Sequence, residues 1–159
     1  MNIFSQYTIK IKKLVNNLKN KGKIDLPSNL DSVIVDIPPK KFLGDISCNV
    51  AMIISKINKK NPIDIANLIS NEIKDQFDEV DEISVAKPGF LNLKFKNYFW
   101  NQFLKEIIQN KNCYGIDNQN NKKNYLIEFV SANPTGPLHV GHCRGAILGD
   151  VISNVLKFY

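Results

Sequence analysis

The chain has 159 residues, of which 43% are hydrophobic and 23% are charged, and it carries a net charge of +6. These values fit one ordinary domain, or a small domain with part of another, and they exclude a disordered chain; no apolar run approaches the ~20 residues of a membrane span. The charge lies in residues 1–60, where 11 lysines stand against 4 acidic residues, and it predicts either a phosphate-binding surface or merely a solvated helix face.

The first sixty residues carry helical and strand periodicities in turn. Apolar residues at helical spacing predict a helix from Ile3 to Leu18, which Gly22 would end. Alternation over residues 33–37 predicts a short strand that points Ile37 inward. A second helix is expected to begin at Gly44-Asp45. Its expected inward residues are Ile46, Val50, Ile53, Ile54 and Ile57.

The next fifty residues complete the pattern of one domain. Asn61 is a cap residue and Pro62 suits the first position of a third helix. That helix would bury Ile65, Ala66, Ile69, Ile73 and Phe77. Two strands are expected around residues 83–85 and 91–95, the second with Asn92, Lys94 and Lys96 on its outer face. Apolar residues from Phe99 to Ile108 predict a fourth helix. The order helix, strand, helix, helix, strand, strand, helix indicates an α+β domain over residues 1–110.

Residues 111–123 are polar and almost without periodicity, so they predict a linker between domains. Residues 125–130 then predict a buried strand, and a helix is expected from about Val140. Its expected inward residues are Ile147 or Leu148, Val151 or Ile152, and Val155. Strand, loop and helix in this order form the first unit of a Rossmann-like α/β fold, which binds ligands beyond the carboxyl ends of its strands. We therefore assign residues 124–159 to the start of a nucleotide-binding domain.

The loop before this helix leads into both histidines of the chain, His139 and His142. Gly141, between them, has no side chain, so a base or a phosphate can approach the backbone there. The start of the helix attracts anions, and the two imidazoles can donate hydrogen bonds to oxygens that gain charge in a transition state. Ser131 and Asn133, just past the strand, are placed to orient a small zwitterion. This segment is the predicted active site.

A metal site is the alternative interpretation of the same residues. His139, His142 and Cys143 are possible zinc ligands, and they would suit a small metal-dependent enzyme. However, the sequence has no fourth ligand nearby, and the adjacent His142 and Cys143 point in different directions on a helix. We therefore predict no protein-bound metal. The common phosphate-binding loops, Gly-Lys-Ser/Thr and Gly-x-Gly-x-x-Gly, do not occur in the chain.

Residues 134–142, Pro-Thr-Gly-Pro-Leu-His-Val-Gly-His, resemble the first signature of class I aminoacyl-tRNA synthetases, whose core is His-x-Gly-His. The wider segment from Glu128 to Asp150 is similar to arginyl-tRNA synthetases of bacterial type. Glutamyl enzymes share these elements, but usually near their N-terminus, whereas over a hundred residues precede them here. Residues 43–52 and 87–93 also resemble the extra N-terminal domain of the arginyl family. The resemblance covers essentially the whole chain.

The resemblance implies a reaction in which the carboxylate of L-arginine attacks the α-phosphate of ATP and the aminoacyl group then passes to tRNA(Arg). It implies catalytic roles for His139 and His142. The residues that would contact ATP are Gly136, His139, Gly141 and His142. The residues that would contact arginine are Glu128, Ser131, Ala132, Asn133 and His142, with Glu128 as a candidate for the amino group. Mg²⁺ would arrive with ATP, without a dedicated protein cage. The N-terminal α+β domain would contact the outer corner of the tRNA, near its D-loop.

The second signature of the family, Lys-Met-Ser-Lys or its variants, does not occur in these 159 residues. We therefore expect an N-terminal fragment of a monomeric arginine–tRNA ligase that does not charge tRNA by itself. The three cysteines are odd in number and far apart, which predicts a cytoplasmic protein without disulfides, and we expect no contact with a membrane. The alternative function is a stand-alone RNA-binding module without catalysis.

Overall fold

The computed structural model describes residues 2–111, 114–116 and 124–158. The chain divides into two compact units, Met1–Lys111 and Asn112–Tyr159. Most of the predicted linker, residues 112, 113 and 117–123, lies outside the described residues. In the part of the chain that the structure describes, no helix has both the length and the apolar character that a membrane crossing requires.

Helix α1 (Ile3–Asn20) forms where the sequence predicts it, because apolar residues recur along one of its faces. The Asn2 side chain caps its N-terminus by accepting a hydrogen bond from the Ser5 amide at 2.8 Å. Gly22 follows the last turn with a φ of 69°, in the left-handed region that favours glycine. The buried face consists of Ile3, Tyr7, Ile11, Leu14, Val15 and Leu18.

The described residues of the first unit form a four-stranded antiparallel sheet with the spatial order β1-β2-β4-β3. Its strands are β1 (Val35–Asp36), β2 (Ile46–Cys48), β3 (Val80–Ala86) and β4 (Phe90–Phe95). Strand β4 pairs on both sides, since Leu93 lies opposite Ile46 of β2 and opposite Ile83 of β3. Leu91 and Leu93 of β4 are buried, as their alternation predicts.

The second helix begins later than predicted, because residues 46–48 form strand β2 instead. Helix α2 covers only Val50–Ser55. Residues 46–48 form a strand and not a helical turn because they pair with β4. All three residues of β2 are buried, and apolar spacing cannot distinguish so short a buried strand from a helical turn. Ile57, which was predicted to face inward, is exposed.

Two predictions about single side chains are also wrong. Asn92 was predicted on the solvent face of its strand, yet it is only 1% exposed. Gly44 lies against it, so closely that a Cβ at Gly44 would be 3.1 Å from the Asn92 Cβ. Ile37 was predicted to point inward but is 69% exposed, since strand β1 already ends at Asp36.

Helix α3 (Pro62–Gln76) confirms the prediction of a capped third helix. The Asn61 side chain accepts a hydrogen bond from the Ile63 amide at 2.9 Å, and Pro62 occupies the first turn. The residues predicted to be inward are all buried: Ile65, Ala66, Ile69, Ile73 and Phe77. They share one core with α1 and with the inward residues of the sheet.

Helix α4 (Asn97–Asn110) also forms as predicted, but its side chains are half-buried or exposed. Phe99 and Phe103 pack against the core, and the Phe99 ring stacks on Phe95 at 4.3 Å between centroids. Leu104 and Ile108 remain exposed. The helix therefore rests on the domain through its first two turns.

A polar cluster joins α1 to the start of β3 at the edge of the core. Glu79 accepts hydrogen bonds from the Tyr7 hydroxyl at 2.6 Å and from the Lys10 ammonium at 2.5 Å. Burial by itself would raise the pKa of Glu79, but these two hydrogen bonds outweigh it and lower that pKa. Burial, with the Glu79 hydrogen bond, raises the pKa of Tyr7. Tyr7 therefore stays a protonated donor to an ionised carboxylate.

We expect Glu79→Gln to lower the free energy of unfolding by about 1–2 kcal/mol at neutral pH, because two charge-assisted hydrogen bonds are weakened. A carboxyl group with a lowered pKa stabilises the fold above its unfolded pKa and loses that effect as the pH falls. The difference from the wild type should therefore shrink in acid. Urea unfolding at several pH values measures it.

Glu82→Gln is the matched control. Glu82 is exposed and lies 3.6 Å from the exposed Lys94, so the loss should stay under about 0.5 kcal/mol. Equal losses in the two variants would contradict the structural role of Glu79.

Candidate functional site

The segment before the last helix does not form the predicted strand. Residues 124–133 have no strand structure, and Leu126 is fully exposed. Val130 has a φ of 60°, outside the strand region. A buried parallel strand needs hydrogen-bonding neighbours, and none lies within the described residues 124–158. The prediction of a buried strand over residues 125–130 is therefore wrong.

Helix α5 (Val140–Phe158) is confirmed, but its buried face is not the predicted one. The apolar residues predicted to be inward are all exposed: Ile147, Leu148, Val151, Ile152 and Val155. The buried position is Gly149, which lies against the ring of Phe129. A Cβ at Gly149 would lie 2.3 Å from both Cβ and Cγ of Phe129. Phe129 thus attaches the preceding segment to the helix at a point where only glycine leaves room.

The two histidines meet at the first turn of α5. Their rings stack with centroids 3.9 Å apart and an angle of 29° between the planes. The His139 amide donates to Nδ1 of His142 at 3.2 Å, and the Gly141 amide donates to Nδ1 of His139 at 3.2 Å. The His139 carbonyl accepts the His142 amide at 2.9 Å. The structure therefore places the two histidines in contact, and their catalytic roles stay predictions.

The remaining predicted site residues lie in the segment before the helix: Glu128, Ser131, Ala132, Asn133 and Gly136. Ala132 is half-buried and the others are exposed. No hydrogen bond among the described residues connects them to the histidine pair. The structure brings His139, Gly141 and His142 together, and the roles of the five other residues stay predictions.

A metal site receives no support from the geometry around the histidines. Within residues 2–111, 114–116 and 124–158, no three side chains of His, Cys, Asp or Glu converge. Cys143 is exposed beside His142 and has a free thiol. Neither Nε2 atom has a hydrogen-bond partner among the described residues.

A second candidate site, which the sequence did not predict, lies on the outer face of the sheet in the first unit. It is a depression of about 470 Å³, within the size range of small-ligand sites. Ser47 and Asn92, which are paired across β2 and β4, contribute to its lining. Its rim combines aromatic and charged side chains: Phe42, Phe90, Lys41, Lys87 and Asp36. Lys41 already lies over the Phe42 ring, 5.1 Å from its centroid.

Asn92 contributes a hydrogen-bond donor and an acceptor to this depression. Both polar atoms of its carboxamide are buried and have no hydrogen-bond partner among the described residues. An unsatisfied buried amide is costly, by about 1–3 kcal/mol per group, so such an amide is expected where a ligand completes it. One donor and one acceptor side by side match the edge of a planar heterocycle. In the sequence, the feature that marks this site is a single asparagine between two leucines of a strand. We predicted that its side chain faces solvent.

We expect Gly149→Ala to release the segment before α5, because its new Cβ would occupy the position of the Phe129 side chain. Chymotrypsin should cleave after Phe129 several-fold faster than in the wild type. The matched control is Gly145→Ala on the same helix, where nothing lies within 4 Å of the added methyl group. That change should leave the cleavage rate unaltered and stabilise the helix by about 0.5–1 kcal/mol. Unchanged cleavage in Gly149→Ala would refute the packing role of Phe129.

Two family models match the chain. The first, Arginyl tRNA synthetase N terminal domain, matches residues 5–95. The second, tRNA synthetases class I (R), catalytic domain, matches residues 103–159. The histidine pair lies within the second match, and the depression around Asn92 lies within the first.

Among curated proteins, the chain is 60% identical over 158 residues to an arginine–tRNA ligase of Pelagibacter ubique. It is 46% identical over 157 residues to one of Wolbachia pipientis. Each alignment covers 99% of this chain and 27% of the relative, so the chain spans about a quarter of their length.

Two solved arginyl-tRNA synthetases resemble the structure. The enzyme of Plasmodium falciparum has a TM-score of 0.68 and 30% identity, over 96% of this chain and 28% of that one. The enzyme of Thermus thermophilus has a TM-score of 0.64 and 25% identity, over 99% of this chain and 24% of that one.

Proposed function

Since this chain belongs to the arginyl-tRNA synthetase family, we propose that it supplies part of the active site of an arginine–tRNA ligase and part of the tRNA-binding surface of that enzyme. The observation that carries the proposal is the stacked pair of His139 and His142 at the start of α5. It lies inside the residues that match a class I catalytic domain. The relatives that match 99% of the chain are arginine–tRNA ligases.

The proposed reaction has two steps. A carboxylate oxygen of L-arginine attacks the α-phosphorus of ATP, and the bond from that phosphorus to the bridging oxygen breaks, which releases pyrophosphate. A ribose hydroxyl of tRNA(Arg) then attacks the arginyl carbonyl, loses its proton and displaces AMP. In the first step negative charge builds on phosphate oxygens, and hydrogen-bond donors placed there lower the barrier. We assign that role to His139 and His142.

We assign the loop and the segment before α5 to the two small substrates. Gly136 has nothing within 4 Å of its Cβ position and leaves the backbone accessible to ATP, and we assign Gly141 to ATP beside the His139 ring. Ser131, Ala132 and Asn133, with His142, would contact arginine, and Glu128 would pair with its amino group. Exposure of the polar members supports this assignment, because their hydrogen-bonding groups are available to a ligand. Mg²⁺ enters with ATP as part of the substrate.

The first unit would contact tRNA(Arg) through the depression around Asn92. Phe42 and Phe90 offer faces on which an unstacked base can stack, and Lys41 and Lys87 offer charge for the phosphate backbone. The Asn92 carboxamide would then read the edge of the base. Lys41 is one of the eleven lysines of residues 1–60, whose positive charge would attract the phosphate backbone.

The same depression favours a second candidate function, RNA binding without catalysis, because its lining belongs entirely to the first unit. For the ligase we assign residues 1–110 to tRNA contact, residues 111–123 to a linker and residues 124–159 to the catalytic domain. We place the protein in the cytoplasm as a monomer. A buried, unpaired Cys48 supports a reducing compartment, since burial raises the pKa of its thiol to about 12 and keeps it unreactive.

A chimera tests the catalytic proposal. Residues 1–159 are joined to the part of the Pelagibacter ubique ligase that follows its region of similarity, and arginine-dependent pyrophosphate exchange with ATP and tRNA(Arg) is measured. We expect exchange by the chimera and none by the 159-residue chain alone. His142→Ala in the chimera should lower the rate roughly 100- to 1,000-fold, as the loss of a transition-state donor commonly does.

Cys143→Ala, the adjacent exposed position, is the matched control and should leave the rate unchanged. An inactive chimera that is folded and binds tRNA would favour the second candidate function. A fully active His142→Ala chimera would refute the role of that histidine.

Asn92→Leu tests the tRNA-binding depression. Affinity of the 159-residue chain for tRNA(Arg) should fall about tenfold, because the edge of the base loses its hydrogen bonds. Stability against urea should stay equal or rise, since the variant removes an unsatisfied buried amide. Ser84→Ala is the control, because Ser84 pairs with Asn92 across β3 and β4 but lies outside the depression. Unchanged affinity in Asn92→Leu would refute the assignment.

Salt dependence of the same binding tests the two lysines. Lys41→Met and Lys87→Met should each reduce the slope of log affinity against log salt by about 1, as the loss of one phosphate contact does. Lys74→Met, in the last turn of α3, should leave the slope unchanged. Equal slopes in all three variants would place the phosphate contacts elsewhere.

A further inference from the structure

The first turn of α5 is closed by two reciprocal hydrogen bonds between its histidines and the backbone. His139 precedes the first helical residue, Val140, and therefore occupies the N-cap position. Its Nδ1 accepts the amide of Gly141, the second helical residue. His142 is the third helical residue, and its Nδ1 accepts the amide of His139. The pattern is that of a capping box, in which the cap residue and the third helical residue each satisfy a backbone amide with a side chain.

Serine or threonine followed by glutamate or glutamine usually forms such a box, and here two imidazoles take both places. An imidazole nitrogen that accepts a hydrogen bond carries no proton, and a neutral imidazole has one protonated nitrogen. Because both Nδ1 atoms accept, both protons must lie on Nε2. We infer that His139 and His142 form a histidine capping box that holds each ring as the Nε2–H tautomer.

Two further contacts support the capping box. The rings stack with centroids 3.9 Å apart, so each ring restricts the orientation of the other. Gly141 lies under the His139 ring: a Cβ there would be 3.0 Å from Cε1 and 3.1 Å from Nδ1. A larger residue here would have to displace the His139 ring by a few tenths of an ångström, so the ring position favours glycine independently of any ligand.

The capping box gives each histidine two separate tasks. Nδ1 holds the helix and the ring orientation, while Nε2–H remains as a donor with a fixed direction. If the proposed function is right, these two donors face phosphate oxygens, and no reorganisation is needed when charge develops there. This last consequence rests on the proposed function, whereas the capping box rests on the hydrogen bonds alone.

Amide hydrogen exchange in the 159-residue chain tests the box directly. The Gly141 amide should be protected in the wild type and in His139→Asn, since the asparagine side chain is a good N-cap acceptor. In His139→Ala it should exchange at least several-fold faster. The His139 amide should likewise lose protection in His142→Ala and keep it in His142→Gln, which suits the third position of a capping box. The Gly145 amide inside α5 is the internal reference for helix formation.

Nitrogen NMR of the same chain tests the tautomers, and it has only two rings to assign because the chain has two histidines. At about pH 8.5, well above the usual imidazole pKa, both rings should show a bare Nδ1 and a protonated Nε2. A protonated Nδ1 on either ring would overturn the inference. So would identical exchange of Gly141 in His139→Ala and His139→Asn, measured relative to Gly145.

Activity of the chimera separates this inference from the proposed function. His139→Asn keeps the cap but removes Nε2–H, so pyrophosphate exchange should fall in it as in His139→Ala. Normal activity in His139→Asn with a protected Gly141 amide would refute the catalytic role of His139 and would support the capping box. Loss of activity in His139→Ala without any change in amide protection would refute the capping box and leave the catalytic role supported.

Discussion

The pairing of β4 with β2 on one side and β3 on the other is the constraint on which the first unit depends. It places Leu91 and Leu93 in the core that α1 and α3 cover. Because side chains alternate along a strand, the same pairing directs Asn92 to the opposite face. The register that builds the core therefore also builds the depression. A slip by one residue would exchange the two faces and destroy both.

In the second unit, contacts between neighbouring segments of the chain organise the structure. The segment before α5 has no strand partners among the described residues, and Phe129 holds it to the helix at Gly149. The helix begins with the two histidines and their own hydrogen bonds. The candidate active site is thus organised within a few residues of sequence.

The two candidate sites differ in whether their polar atoms have hydrogen-bond partners within the protein. The histidine pair has its Nδ1 atoms satisfied by backbone amides, which preorganises the rings at little cost. The Asn92 carboxamide is buried without a partner, so part of the stability of the first unit is given up at this position. A preorganised donor pair suits catalysis, and an unsatisfied amide suits recognition of a ligand that completes it. The histidine pair lies in the residues that match the second family model, and Asn92 lies in those that match the first.

The sequence by itself determined the features whose contacts are local. Apolar periodicity was sufficient to predict α1, and periodicity with the Asn61 cap was sufficient to predict α3. His139 and His142 are three residues apart, so their proximity follows from local geometry. Only the tertiary structure decided that Ile46 lies in a strand, that Asn92 is buried and that Gly149 is the buried position of α5. Each depends on a partner outside its own element: on β4, on Gly44 and on Phe129. Residue spacing carries no information about such partners, because local periodicity reports only which side of an element is apolar.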